Sequence, residues 1–485
     1  MRDARRIRVI VPSTVGTGEK FDVRAKLLTE PFFAKGNCYC PSPGVDGRYN
    51  ISPRGITYMD NVPPDWRGEI GIDGGAGYEG PSSISFPGGG GPYPGDGRPI
   101  GSITGASYST PGIRSIIARD PVSGAMGRSN PVEVLSGNPG ERLFWGDLHS
   151  QTYFSDGLRV PEELYAFARE ESFLDFFALA DHSESLTDRQ WEYFVNVTND
   201  SHDPGRFVTL VGFEWTSGRW GHRNLYYPGW SGQILRANDP VGGELTELYR
   251  VARDEGAIVI PHHSANNAMG VDWSLGHDPE VERLVEIYSV WGNSERPGAA
   301  GNTRPIRVLG GEKEGQHVID ALAMGRRFGL VGGGDIHDGR PGDELHSMQR
   351  EPGIYRHLYR QGITGVWARE LTREGVFEAM WNRRVFATTN IRTILRFSVD
   401  GSPMGSVIKS GNSVRVAVRA ASEVPIGELD IVHSGGDSRI LRPGDGQVNV
   451  EEVLETKGGD GWVYARLIRE DGEMAWSSPV WYSSD

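Results

Sequence analysis

The sequence predicts an α/β protein in which a closed barrel of parallel strands is flanked by a β-sandwich domain at each end. Three observations support this prediction. Short strands separated by turn residues occur at both ends of the chain, and strands alternate with amphipathic helices between them. The length of 485 residues also exceeds what one hydrophobic core ordinarily contains. The predicted domains are residues 1–140, 141–392 and 393–485.

The N-terminal domain is predicted from alternating apolar and polar residues in IRVIVPS, FDVRAKLL and IRSIIARD. Residues 73–105 interrupt this pattern with a stretch rich in Gly and Pro. This stretch is too long for an ordinary connection, so we interpret it as a functional lid or a mobile flap. Residues 75–80 have the form of a dinucleotide fingerprint, but no strand precedes them and no helix follows, so we reject that interpretation.

The central domain is predicted from a repeated order of helix and strand. The helix PEELYAFAREES begins with Pro161 in its first turn and leads into FLDFFALA. The same order recurs in ELTELYRVARDEG with AIVIP, in GQHVIDALAMG with RFGLVGG, and in TREGVFEAMWNRR with VFATT. This alternation is typical of a parallel sheet, and about 250 residues suit a closed barrel.

The C-terminal domain returns to β patterning, from which we predict a second small sandwich. Its predicted strands lie in ILRFSVDG, SVRVAVRAA, ELDIVHSGG, GWVYARLIRED and MAWSSPVWY.

Composition and charge restrict the class of protein. The net charge of -14 argues against partners such as nucleic acid or a membrane surface, because both select a basic face. A bound metal would still allow an anionic small-molecule substrate. The first residues lack the apolar core of a signal peptide, so we expect a cytoplasmic protein. Cys38 and Cys40 provide no disulfide framework, and two thiols alone make a poor metal site.

Reactive side chains follow the apolar strands of the central domain. Half of the 12 histidines lie at such positions. The motifs are LFWGDLH ending in His149, FFALADH ending in His182, VTLVGFEW with Glu214, WGHRNLYY with His222, AIVIPHH with His262 and His263, and FGLVGGGDIH with Asp335 and His337. The C-terminal ends of barrel strands open onto one face, so we expect these side chains to meet there.

Each of these residues also has an ordinary structural interpretation. A single histidine after a strand is commonly a buried histidine with satisfied hydrogen bonds, an aspartate there is commonly a helix cap, and Glu214 alone suits a buried ion pair. Five strand ends with the same chemistry are harder to explain in this way, because burying so many ionisable groups without a cation is costly. Imidazole and carboxylate are ligands of Zn, Mn and Fe, so the sequence predicts a metal site.

Taken together, these motifs resemble those of the PHP superfamily, named for polymerase and histidinol phosphatase domains. The resemblance rests on GDLH with SDG, then ADH, GFE, PHH and GDIH in that order, over residues 142–392. WGDLH, IPHHS and AWSSPVW are most similar to an uncharacterised branch, related more distantly to carbaryl-hydrolase-type enzymes. The resemblance implies a distorted (β/α)7 barrel with two or three divalent metal ions at the strand ends.

The same resemblance implies which residues bind each metal. One metal would be held by His149, Glu214 and Asp335. Glu214 would bridge to a second metal that His222 and His262 also hold. The third would be held by Asp156, His182 and His337.

Position 151 departs from the His-x-His pattern of the family, because it is a glutamine. An amide oxygen is a weaker ligand than imidazole, so we interpret Gln151 as marking a weakened or repurposed metal position. Asp147 and Asp181 precede ligand histidines, and we expect them to support those ligands. His263 is an alternative to His262 as ligand, although the family pattern favours the histidine directly after the proline.

The predicted function is a metal-dependent hydrolase in which a metal-activated water attacks an ester, with phosphoesters favoured by the resemblance. The predicted catalytic residues are Glu214, His222, His263 and Arg223. Arg219 and Arg340 are further candidates for binding an anionic substrate, and each also suits a structural role. Trp215 and Trp220 would form an apolar wall or belong to the core.

Alternatives remain open at this point. No Gly-x-Ser-x-Gly elbow or Walker loop occurs, and Ser155 before Asp-Gly is more typical of a turn than of a nucleophile. The same metal site would also suit carboxylic or carbamate esters. Gln151 favours a different class, a non-catalytic binding protein on a degenerate scaffold. The sequence does not determine whether the protein forms oligomers.

Overall fold

The computed structural model describes residues 6–28, 32–43, 49–60, 66–86, 100–343, 348–350, 359–436, 439–456 and 458–483. The N-terminal strands are β1 Arg6–Ile10, β2 Thr14–Gly16, β3 Phe21–Leu28, β4 Phe32–Pro43, β5 Tyr49–Asp60, β6 Gly68–Asp73, β7 Tyr78–Glu79, β8 Ser83–Phe86, β9 Ile100–Tyr108, β10 Gly112–Arg114, β11 Ile117–Arg119, β12 Met126–Arg128 and β13 Val132–Leu135.

An eight-stranded sheet with the order β7-β9-β3-β1-β12-β11-β6-β8 forms most of this region, beside a three-stranded sheet with the order β10-β13-β2. Alternate residues of β3 are buried because successive side chains of a strand point to opposite faces. Val23, Ala25, Ile70 and Ile84 belong to one continuous hydrophobic core. The N-terminal region therefore buries an apolar core of its own.

The predicted lid or flap at 73–105 is partly ordered into this core. β7 and β8 lie within it, and β8 pairs with β6 while Ile84 and Phe86 are buried. The aperiodic Gly/Pro composition concealed these strands, because each contributes only a few residues. Residues 87–99 and the side chains of Cys38 and Cys40 lie outside the described part of the structure.

The central elements alternate strand and helix less regularly than the sequence predicts. They are β14 Arg142–Asp147, α1 Pro161–Glu170, β15 Phe176–Ala178, α2 Asp188–Asp200, β16 Val208–Leu210, β17 Gly212–Ser217, β18 Gly221–Tyr226, α3 Leu245–Glu255, β19 Ile258–Pro261, β20 Leu284–Ser289, β21 Gly292–Asn293, α4 Val318–Ala323, β22 Gly329–Gly332, β23 Met348–Arg350, β24 Ile363–Ala368, α5 Arg373–Trp381 and β25 Val385–Thr388.

Local capping specifies where three of the helices begin or end. α1 has Pro161 in its first turn, as predicted. α2 begins after Thr187, whose side chain accepts a hydrogen bond from the backbone N–H of Gln190. α3 ends at Gly256, which has a left-handed backbone with φ of 65°.

The C-terminal region consists of strands. They are β26 Ile394–Val399, β27 Ser402–Pro403, β28 Val407–Lys409, β29 Ser413–His433, β30 Arg439–Leu441, β31 Asp445–Glu455, β32 Gly461–Arg469, β33 Met474–Ser477 and β34 Val480–Ser483.

The predicted α/β architecture, a closed (β/α)7 barrel, is wrong. The protein is mostly β, with 42% of residues in strands and 13% in helices, and no such barrel is evident in the described residues. β14, β15 and β16 are parallel, but β24 and β25 pair antiparallel and lead into the C-terminal strands through β33. β17, β18 and β19 form a separate antiparallel sheet, and β20 and β22 belong to another.

The error has a physical origin. Helix and strand periodicity report each element separately, whereas barrel closure depends on pairing between segments that are distant in the chain. No helix separates β17 from β18, which form a hairpin with Glu214 opposite Asn224. In a closed barrel, the second edge of β25 would pair with another barrel strand. Here that edge pairs with β33 from the C-terminal region.

A buried polar network joins the central and C-terminal regions. The Glu295 carboxylate accepts hydrogen bonds from Tyr464 Oη at 2.6 Å, from Arg466 Nη1 at 3.0 Å and from Trp476 Nε1 at 3.0 Å. Arg466 also pairs with the buried Asp430. These groups are removed from water, so each depends on its hydrogen-bond and ion-pair partners to offset the free-energy cost of desolvation.

Glu295→Ala is expected to lower the free energy of unfolding by about 3–5 kcal/mol, because it leaves the buried Arg466 short of a counter-charge. Urea denaturation followed by tryptophan fluorescence measures this loss. Glu280→Ala, at an exposed glutamate, is the control and should change stability by less than about 0.5 kcal/mol. Equal stabilities of the two variants would contradict the assignment of the network as a tie between the regions.

No helix in the described part of the chain has both the length and the apolar character needed to cross a lipid bilayer.

Candidate metal centre

The structure brings the eight predicted metal ligands together, although they come from several sheets. His149 and Asp156 follow β14, His182 follows β15, Glu214 and His222 lie on the hairpin β17–β18, His262 follows β19, and Asp335 and His337 follow β22. Together with His263 and Glu286, they form four groups of three ligand atoms within 4.8 Å, of which the first, second and fourth share residues: His222, His262 and His263; His149, Glu214 and His262; Asp156, His182 and His337; and His149, Glu286 and Asp335.

Glu214 lies at the centre of the cluster. Its Oε1 is 2.8 Å from His222 Nδ1 and 3.3 Å from both His262 Nε2 and His182 Nδ1. Its Oε2 is 3.3 Å from His149 Nε2. Only 1% of the Glu214 side chain is exposed, so one buried carboxylate connects four imidazole rings. This geometry suits a carboxylate that is shared between metal ions.

His222 and Glu214 meet because of the hairpin register. Thr216 lies opposite His222, and Glu214 is two residues from Thr216 on the same face of β17. His262 and His263 follow the end of the next strand, with ring centroids 4.4 Å apart. The sequence favoured His262 over His263 as ligand, and the structure places both beside His222. His263 has a φ of 32°, an uncommon backbone conformation for a side chain with Cβ.

Asp156, His182 and His337 form the outer group. Asp156 Oδ1 is 3.3 Å from His182 Nε2 and 3.2 Å from His337 Nε2. The Asp156 side chain is 39% exposed and His182 is 19% exposed, whereas His149 is fully buried. The cluster is therefore open to solvent on the side of Asp156, and a substrate would approach from there.

Glu286 is a candidate ligand that sequence reasoning missed. It lies within β20, and its Oε2 is 2.9 Å from His149 Nδ1. A carboxylate oxygen of Glu286 also lies within 4.8 Å of a carboxylate oxygen of Asp335. The sequence contains a signal for it, because LVEIYS places a single carboxylate inside an apolar strand.

Two glycines make this close packing possible. A Cβ at Gly333 would lie 2.0 Å from Glu286 Oε2 and 2.9 Å from His149 Cβ. A Cβ at Gly334 would lie 2.6 Å from Asp147 Oδ2. The GGGDIH motif therefore needs glycine before Asp335 so that the backbone can approach the carboxylates.

Asp147 and Asp181 support the loops that carry the ligands. Asp147 Oδ1 accepts hydrogen bonds from the backbone N–H groups of His149 at 2.9 Å and Gly334 at 2.8 Å. Asp181 Oδ1 accepts from Thr152 N at 2.9 Å and from Ser155 Oγ at 2.7 Å. Burial raises the pKa of both aspartates to about 6. These contacts match the supporting role that the sequence predicts.

Gln151 faces the cluster. Its Nε2 donates a hydrogen bond to Glu214 Oε2 at 3.0 Å, while its buried Oε1 has no hydrogen-bond partner among the described residues. The amide therefore positions the shared carboxylate, and its oxygen is left available as a weak ligand.

The predicted catalytic residue Arg223 does not join the cluster. Adjacent side chains on a strand point to opposite faces, so Arg223 points away from the face that carries His222. It is buried and donates from Nε to Glu282 Oε1 at 2.8 Å. Tyr249 Oη donates to the same oxygen at 2.6 Å. Arg223 therefore contributes to a structural ion pair.

The remaining candidates occupy ordinary positions. Arg219 is exposed and lies over the Trp220 ring at 4.3 Å. Trp215 is buried and donates from Nε1 to the Gly242 carbonyl. Arg340 is buried near Asp338, which follows His337.

The electrostatics of the cluster fit bound cations. Burial raises the pKa of Glu214, but the charges of His182 and His262 and a hydrogen bond from His149 hold it well below its usual range. Burial lowers the pKa of His262 to about 4, and burial together with His262 and His222 lowers that of His263. Burial favours the neutral forms of His149, His182 and His337, but the neighbouring carboxylates raise the pKa of each imidazole, so these three rings would release protons on binding metal.

Unsatisfied polar atoms give an independent test of this fit. His262 Nδ1, His263 Nδ1, Glu286 Oε1 and Asp335 Oδ2 are buried without a hydrogen-bond partner in the described part of the chain. Such atoms are rare in proteins and indicate a group that completes their bonding. The imidazole and carboxylate donors suit Zn, Mn or Fe.

Glu286→Gln is expected to weaken metal binding and to stabilise the metal-free protein at high pH. Burial raises the pKa of Glu286 to about 7, although His149 opposes this shift. A folded-state pKa above the unfolded value means that this group costs stability as pH rises from about 4.5 through about 7. Without metal, the free energy of unfolding of Glu286→Gln should exceed that of wild type by at most about 3 kcal/mol at pH 8. This difference should vanish below about pH 4.5.

Urea denaturation with chelator across this pH range measures the gain, and elemental analysis measures the metal. Glu280→Gln is the control, since Glu280 is exposed. Unchanged metal content in Glu286→Gln would remove Glu286 from the ligand set.

Gln151→His is expected to raise metal affinity by about tenfold or to add an equivalent of metal, because imidazole is a stronger ligand than an amide. Metal titration measures this change. Gln233→His, at an exposed position, is the control. If Gln151 instead contacts substrate, KM should rise at constant metal content. Identical metal binding and identical kinetics would show that Gln151 has neither role.

Comparisons with known proteins find relatives of unstated activity. A family model described as a protein of unknown function, DUF3604, matches residues 162–271 and 338–429. Uncharacterised proteins of Chlamydia pneumoniae, Chlamydia muridarum and Chlamydia trachomatis are each 27% identical, over 396, 404 and 404 residues respectively. Each alignment covers 77% of this chain and 62% of the relative, so the chain spans less than two thirds of the curated relatives it matches.

Proposed function

We propose that this protein is a metal-dependent hydrolase of ester bonds, with phosphoesters as its favoured substrates. The observation that carries the proposal is the convergence of six histidines with four carboxylates in overlapping groups, of which Glu214 joins several. The preference for phosphoesters comes from the motif resemblance to PHP proteins and is part of the proposal.

The donor set determines which residues would hold metal. His149, Glu214, His222, His262 and Asp335 would form the buried part, to which we add Glu286. Asp156, His182 and His337 would form the part open to solvent. Divalent metal ions in such a site supply a hydroxide nucleophile at neutral pH and neutralise charge on the ester oxygen.

The residues themselves orient the site and control access to it. Gln151 and four imidazoles fix the Glu214 carboxylate, and Asp147 holds His149 against Gly334. Because burial decreases from His149 toward Asp156, substrate would enter over the outer group and meet the buried ligands from one side. His263, beside His222 and held neutral by its burial, is the proposed acceptor of a proton.

One observation favours a second candidate, a metal-binding protein without catalytic activity. The Gln151 amide occupies the position where the family pattern has a ligand, and it donates to the carboxylate that two metals would share. A site with fewer metals would bind anions without hydrolysing them. Activity measurements on metal-loaded protein distinguish the two candidates.

Metal-loaded protein is expected to hydrolyse p-nitrophenyl phosphate or bis-p-nitrophenyl phosphate faster than p-nitrophenyl acetate or a naphthyl carbamate. Glu214→Gln should reduce kcat by at least about 100-fold, because it removes the shared carboxylate charge. Glu244→Gln changes an exposed carboxylate in the same way and should retain full activity. A carboxyl or carbamate ester preference would correct the substrate class, and inactivity of fully loaded protein on all four would favour the second candidate.

Ser155→Ala separates a metal-activated water from a covalent mechanism. Ser155 donates to Asp181, so its loss should perturb a supporting loop and reduce activity by less than about tenfold. An inactive variant with its full complement of metal would instead indicate a serine nucleophile.

A further inference from the structure

A cleft rich in arginine lies where the N-terminal strands β1 and β12 meet the segment after β25 and residues 423 and 424 of β29. Its volume is about 310 Å³. The charged residues that line it are Arg6, Arg8, Arg128, Arg360, Arg392 and Glu423. None of the candidate metal ligands lines this arginine cleft. In a chain with a net charge of -14, such a concentration of positive charge requires an explanation.

Arg392 is the buried base of the arginine cleft. It is 5% exposed, and its Nη2 donates to the carbonyls of Ser172 at 2.9 Å and Phe173 at 2.7 Å. These two bonds fix the guanidinium, while its Nε has no hydrogen-bond partner among the described residues. Arginines buried in proteins ordinarily pair with a carboxylate, and in the described ranges no carboxylate oxygen lies within 4.0 Å of this one.

The neighbours of Arg392 increase the positive charge. Burial and then the charge of Arg8 lower the pKa of Arg392 to about 9. The opposing charge of Asp175 is the next largest effect on this pKa, followed by a further lowering by Arg24 and a raising by Glu423. Neither Arg8 nor Arg24 has an ion pair within the part of the chain that is described. Arg24 lies over the Phe173 ring at 5.9 Å.

The one acidic side chain that lines the cleft is already engaged. Glu423 Oε1 is 3.2 Å from Arg469 Nη1, outside the lining set. Arg128 donates to Ser115 Oγ at 3.0 Å, a bond that leaves its charge uncompensated. Arg360 is 3.9 Å from Glu473, at the limit of an ion pair. Within the described part of the chain, Arg8, Arg128 and Arg392 therefore have no carboxylate within ion-pair distance.

We propose that the arginine cleft binds a small anion that carries phosphate groups. Guanidinium groups donate in a planar fork that matches phosphate oxygens, and several around one cavity favour a multiply charged ligand. The cavity has room for a small molecule such as pyrophosphate or a phosphorylated metabolite. This site is separate from the metal centre and does not depend on the proposed hydrolase activity.

The experiment is calorimetric titration of inorganic pyrophosphate into the purified full-length protein at constant ionic strength. Arg8→Gln is the test variant, because Arg8 is partly exposed and lacks an ion pair, so the fold should tolerate the change. Arg442→Gln is the matched control, at an exposed arginine outside the arginine cleft. The expected result is an increase of at least about tenfold in Kd for Arg8→Gln and no change for Arg442→Gln.

If pyrophosphate binds only at the metal centre, its Kd should be the same for wild type and Arg8→Gln. This result would overturn the proposal. Absence of binding to wild type would also overturn it. Equal weakening in Arg8→Gln and Arg442→Gln would indicate general charge attraction and would likewise reject a specific site. Titration of chelator-treated protein should retain the wild-type affinity, since no metal ligand lines the arginine cleft.

Discussion

The structure depends on the burial of one carboxylate. Glu214 is removed from water and surrounded by four imidazole rings, three of them reaching the same carboxylate oxygen. An isolated charge in such a place would be strongly unfavourable, so its neighbours must either carry positive charge or share a cation with it. The loops around it are accordingly fixed by further buried carboxylates, Asp147 and Asp181, which accept backbone hydrogen bonds.

The architecture meets this requirement with short strands from separate sheets. The hairpin β17–β18 places Glu214 and His222 on one face, and the loop after β14 brings His149 to it. β20 adds Glu286 from a strand interior, and Gly333 allows the backbone to approach its carboxylate. The chemistry therefore does not require a closed barrel, because loops and a hairpin converge on the same point.

Local sequence predicted which side chains come together better than it predicted the fold. His149, His182, His262 and Asp335 were found because each follows an apolar strand, a pattern visible in a few residues. The barrel was wrong because the pairing of β25 with β33 joins segments about ninety residues apart, and no local periodicity encodes it. Arg223 was misplaced for a simpler reason, since nearness in sequence to His222 puts it on the opposite face of the same strand.

The pairing of β25 with β33 also affects how the chain folds during synthesis. The candidate ligands lie between residues 149 and 337, whereas β33 begins at Met474. The strands next to the site therefore leave the ribosome long before the strand that completes their sheet, with one edge still unpaired. Unpaired strand edges are prone to aggregation, so the edge of β25 is exposed to this hazard until β33 has been synthesised.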